Sequence, residues 1–114
     1  MVQRFETGAR TSEMTLHNGV CYLAGQVANG GATEIQDQTR EVLSEIDRLL
    51  ALAGSDKTRI LRAEIFLDDM SDFAGMNSVW ESWVPAGQTP ARATVQARLA
   101  RPEWKVEIVI TAAA

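Results

Sequence analysis

The sequence is poor in the residues that many chemistries require. It holds one cysteine, Cys21, and one histidine, His17, in 114 residues. A lone cysteine excludes an intrachain disulfide and a thiolate metal cluster, and a lone histidine excludes a His-rich metal site within one subunit. Cations are in the minority: Lys plus Arg number 11 against 15 Asp plus Glu, a formal charge of −4. Nucleic-acid affinity comes mostly from a basic surface, so this balance argues against a nucleic-acid partner. No apolar run reaches the ~18 residues of a membrane span, which predicts no transmembrane helix and no membrane partner. The start, Met1-Val2-Gln3-Arg4-Phe5-Glu6, lacks the apolar centre of a signal peptide. With the single thiol, these features point to the cytoplasm. GxSxG, P-loop and dinucleotide fingerprints are missing, which leaves phosphate-driven and hydride-transfer enzymes without support.

What is present fits one folded domain over residues 1–114, with 46% hydrophobic and 23% charged residues. A domain this small buries only ~60–70% of its unfolded surface, which makes self-association plausible. His17-Asn18-Gly19 contains an Asn-Gly turn signal, so Glu13–Leu16 and Val20–Ala24 are expected to form a hairpin. Thr33 is placed to cap a helix in which Ile35, Thr39, Val42, Ile46, Leu49 and Ala53 make one apolar stripe, ended by Gly54. Ile60–Leu67 alternates as a strand. Ser71 or Asp72 is expected to cap a second helix, with Phe73, Met76, Trp80 and Trp83 inward and Pro85 beyond it. Arg92–Leu99 and Lys105–Thr111 alternate as two more strands. The order predicts an α+β fold, two helices on one face of a sheet. The other face must be solvated or covered by another subunit.

Arg92 and Glu107 stand out on the last two strands. Paired across Arg101–Trp104, the strands would set Glu107 opposite Thr94 or Gln96, within diagonal reach of Arg92. A guanidinium holds a carboxylate bidentately, and a nearby carboxylate can orient water. The alternative is a solvated ion pair worth only ~0–1 kcal/mol. Gly25, after Ala24, could let a ligand approach backbone N–H groups, or could simply end a strand. His17 reads as a turn residue, Cys21 as a small buried hydrophobe, and Trp80 and Trp83 as core anchors.

Pro90-Ala91-Arg92-Ala93-Thr94-Val95, then Leu99, then Lys105-Val106-Glu107-Ile108, resembles the C-terminal signature of the RidA (YjgF) family of reactive-intermediate deaminases. Gly19–Gln26 resembles the family's strand ending in Ser/Ala-Gly-Gln. Gln38-Thr39-Arg40 with Leu43 and Ile46 resembles its first helix, and Phe73–Asn77 with Trp83 its second. The likeness spans roughly residues 12 to 113.

The resemblance implies a chorismate mutase-like fold, a mixed and mainly antiparallel sheet, assembled as a homotrimer with ligand sites between subunits. It implies hydrolysis of enamines and imines such as 2-aminoacrylate to 2-keto acids and ammonia, without metal or organic cofactor. By residue, it implies Arg92 as the carboxylate binder, Glu107 as the group that positions water, and Gly25 as a pocket glycine. Thr94 stands where many members have cysteine, and Ala24 where serine is frequent. Thr11 falls near the position of a tyrosine that many members carry, and Arg10-Thr11-Ser12 is the segment expected to line the cleft instead. Two competing functions are an endoribonuclease or translation inhibitor, disfavoured by the net charge and single histidine, and a non-catalytic trimer that binds a small carboxylate or a partner enzyme.

Overall fold

The computed structural model describes all 114 residues. Six strands form one sheet: β1 (Gln3–Thr7), β2 (Ser12–His17), β3 (Val20–Leu23), β4 (Ile60–Leu67), β5 (Ala91–Gln96) and β6 (Val106–Ala113). Two helices, α1 (Ile35–Leu52) and α2 (Phe73–Trp83), cover one face. The strand order is β1-β2-β3-β6-β4-β5, antiparallel except for the parallel pair β4–β5. The resulting slab measures 41 × 38 × 21 Å, two layers thick. Neither helix is long and apolar enough to cross a membrane.

The hairpin forms where Asn-Gly stands. Asn18 and Gly19 have φ of 49° and 76°, and two consecutive positive φ values make the turn whose twist matches the flanking strands. Helix α1 buries Thr39, Val42, Ile46 and Leu49 as the stripe predicts, and adds Gln38, Leu43 and Leu50. It begins after Glu34, and Thr33 does not cap it. Gly54 follows its end with φ 74°, and the N–H groups of Ala53, Gly54 and Ser55 satisfy the last carbonyls. Before α2, Asp69 accepts the Ser71 N–H and caps a short 3-10 turn, Met70–Asp72, so the side-chain cap falls earlier than Ser71 or Asp72.

The core lies between helices and sheet. Met14, Cys21, Leu23, Ala63, Ile65, Leu67, Val106, Ile108 and Ile110 meet α1 and α2 there. Trp80 is buried in this layer, whereas Trp83 is only partly covered and donates its indole N–H to Asp47. His17 ends β2, half-buried, with Nδ1 3.3 Å from the Met1 carbonyl oxygen.

The last two strands do not pair with each other. β4 lies between them, parallel to β5 and antiparallel to β6. Glu107 therefore stands opposite Phe66, not Thr94 or Gln96. The reason is the connection through α2: a helical crossover from β4 to β5 returns the chain in the same direction, which favours a parallel neighbour. Strand β1 also lies outside the sequence expectation. Phe5 is its one inward apolar residue, too little to mark a strand by periodicity.

Candidate functional site

Strand alternation decides which face each candidate occupies. In β6, Val106, Ile108, Ile110 and Ala112 are buried under the helices, so Glu107 points to the open face. In β5, Arg92 and Thr94 pair with the buried Ala63 and Ile65 and share their helix-side face. Two strand spacings, about 10 Å, separate their strands, and three residues of register add about 10 Å along the sheet. Within one chain Arg92 and Glu107 do not meet.

Glu107 lies against Gly25. The chain at Gln26 makes an isolated bridge to Ile108, with N–H groups exchanged in both directions at 2.9 and 3.1 Å. This sets Gly25 beside the carboxylate. A Cβ added at Gly25 would stand 2.8 Å from Glu107 Cδ and closer still to Oε2. Glycine is needed here for space, which joins two residues that the family resemblance assigns to one pocket. Gln26, buried, donates its amide to Glu13 Oε1 at 3.0 Å and to the Ala24 carbonyl at 3.1 Å, fixing the path of Ala24-Gly25.

Arg92 sits in a different setting. It is the one arginine of the chain that is not exposed. Its Nη1 donates to Asn77 Oδ1 at 2.8 Å. Its guanidinium carbon lies 5.4 Å from the Trp80 ring centre and 6.0 Å from that of Phe73, within cation–π range. Burial lowers its pKa from the ordinary guanidinium value, and the charge of Glu81 opposes that shift. None of the six ion pairs in the chain includes Arg92. Two residues along the same strand face, the Thr94 hydroxyl oxygen is buried without a hydrogen-bond partner. A partly desolvated cation without a carboxylate, beside an unpaired hydroxyl, suits an anionic ligand with a further polar group.

Thr11 is exposed in the β1–β2 turn, where its carbonyl accepts the Gly8 N–H. From there to β5 is four strand spacings, about 19 Å, so Thr11 shares no site with Arg92 of the same chain. Phe73, Asn77 and Trp80 around the guanidinium were not singled out as site residues from the sequence. The signal that could have found them is their i, i+4, i+7 spacing on one face of α2.

The chain belongs to the family described as Endoribonuclease L-PSP, whose model matches residues 1–114. The RidA/YjgF likeness of its motifs thus extends over its whole length. A solved structure of a YjgF-family protein from Neisseria meningitidis is 53% identical and superposes with a TM-score of 0.97, covering 99% of this chain and 94% of that one. A RutC family protein of Haemophilus influenzae is 51% identical over 112 residues, 97% of each chain. A chloroplastic Reactive Intermediate Deaminase A of Arabidopsis thaliana is 26% identical over 104 residues, 91% of this chain and 55% of that protein.

Proposed function

We propose that this protein hydrolyses reactive 2-imino acids, and the enamines that tautomerise to them, to 2-keto acids and ammonia. The site lies in clefts between the subunits of a cytoplasmic homotrimer. The observation that carries the reading is Arg92: a half-buried guanidinium held by a neutral acceptor and two aromatic rings, with no carboxylate of its own. The Arabidopsis relative's name supports the reaction class. The opposite faces of Arg92 and Glu107 support a site shared between subunits.

Arg92 fixes the substrate carboxylate through paired N–H donors, which removes much of the entropic cost of attack. Glu107 holds a water by accepting a hydrogen bond. That water adds to C2 of the protonated imine, whose positive charge makes the carbon electrophilic. A water proton passes through Glu107 to the nitrogen of the resulting carbinolamine. The C–N bond then breaks, its electrons leave with the nitrogen as ammonia, and the hydroxyl passes its proton to that ammonia as its oxygen becomes the keto oxygen. One protonated imine and one water give one keto acid and one ammonium ion. The chain's acidic balance disfavours a polynucleotide substrate.

The test is a coupled assay in which an amino-acid oxidase generates imines and semicarbazide traps what escapes hydrolysis. Native protein is expected to suppress semicarbazone formation. Arg92→Ala is expected to lose about a hundredfold in kcat/KM, the effect of a charge-assisted bidentate contact. Glu107→Ala is expected to lose on the order of 10²–10⁴ in kcat while still binding a 2-keto acid. A second reading, carboxylate binding without turnover, draws on the fact that Arg92 and the α2 side chains that hold it lie apart from Glu107. It takes over if native protein binds keto acids yet leaves semicarbazone formation unchanged with small and bulky imines alike.

A further inference from the structure

We infer that Asn77 is a positioning residue that aims Arg92 while leaving its charge uncompensated, so that the cation remains available to an anionic ligand. This rests on the reading of Arg92 as the carboxylate binder. Three features of α2 converge on one guanidinium. Asn77 Oδ1 accepts Nη1 at 2.8 Å, Trp80 supplies a ring 5.4 Å from the guanidinium carbon, and Phe73 supplies another at 6.0 Å. Trp80 is buried and cannot swing away, whereas Phe73 is 39% exposed. With Nη1 engaged by Asn77, the Nε–Nη2 edge is left for side-on, two-point binding of a carboxylate.

The chemical type of the acceptor decides the outcome. An amide oxygen orients a guanidinium but cancels none of its charge. A carboxylate at the same distance would orient it equally well and neutralise it. Arg92 is partly desolvated, and Glu81, whose charge favours the protonated guanidinium, forms no ion pair with it. Aspartate, nearly isosteric with asparagine, is therefore the informative replacement.

The experiment titrates the assembled protein with pyruvate, a non-reactive 2-keto acid, by calorimetry, and records the Tm of each variant. Wild type is expected to bind and Arg92→Ala to lose binding. Asn77→Ala is expected to weaken Kd about five- to tenfold, the size of one hydrogen bond's contribution to aim. Asn77→Asp is expected to weaken it about tenfold further, with a Tm equal to or above that of wild type. In the imine assay Asn77→Asp is expected to raise KM with kcat little changed, the mark of lost binding rather than lost chemistry. The inference is overturned if Asn77→Asp keeps wild-type affinity, or if both Asn77 variants lose affinity only in proportion to a fall in Tm. If wild type and Arg92→Ala respond identically to pyruvate, the carboxylate reading of Arg92 fails first and this inference falls with it.

Discussion

At the scale of single residues, Gly25 and Glu107 act as one unit. The carboxylate occupies the volume that a methyl group at position 25 would need. Gly25→Ala is expected to push Glu107 aside and cut kcat about tenfold or more, because water positioned even 1 Å away reacts poorly. Combined with Glu107→Ala, the same substitution is expected to cost almost no further stability, since the clash is gone. Thermal melts of the two single variants and the double variant check this coupling. The residue types were legible in the sequence: an arginine and a glutamate on strands, and a glycine after a strand. Their relations were not. Which side chain fills the space above a glycine, or which amide on a helix reaches an arginine, depends on pairing and packing that local pattern does not encode.

At the scale of elements, Gln38 shows how the strand carrying Glu107 is anchored. It is buried on α1, and its amide donates to the carbonyls of Ala32 and Glu103 at 3.0 and 2.8 Å and accepts the Lys105 N–H at 2.9 Å. One side chain thus ties the loop before α1, the turn at 101–104 and the entry to β6. Gln38→Leu removes the hydrogen bonds that a buried amide makes to two carbonyls and one N–H. It is expected to destabilise the fold by about 2–4 kcal/mol, measurable by urea unfolding. The helices themselves were legible because a 3.6-residue apolar repeat survives in α1 and α2 almost without interruption. The strands β3, β4 and β6 were legible from alternation and β-branched content. Partner choice was not: alternation says that β5 and β6 are strands, and nothing in it says that β4 separates them.

At the scale of the whole molecule, the open sheet face dominates. Tyr22 and Val95 are about half exposed on it, with Phe66 and Val109 half-buried between them. Glu107, Arg62 and Glu64 share that face, so the apolar surface is bordered by charge. Covering it with other subunits is the assembly the family resemblance implies. Tyr22→Glu with Val95→Glu is expected to dissociate the proposed trimer, seen by sedimentation velocity, while far-UV circular dichroism stays close to wild type. Imine hydrolysis is expected to disappear with the assembly, since neither Arg92 nor Glu107 completes a site within one chain. That a face would be left uncovered followed from two helices and one sheet. Its apolar makeup became clear only once register assigned each residue to a side.

The place of β6 in the sheet also orders events during synthesis. It is the last strand along the chain, yet it lies in the middle, between β3 and β4. Until Val106–Ala113 leaves the ribosome, the β1-β2-β3 meander and the β4-α2-β5 unit have no shared strand, and α1 has only part of its floor. The nascent chain therefore carries two incomplete half-sheets whose edges stay unpaired, the condition in which strands pair wrongly. Closing the sheet requires Val106–Ala113 to enter between β3 and β4, and the same placement brings Glu107 to Gly25.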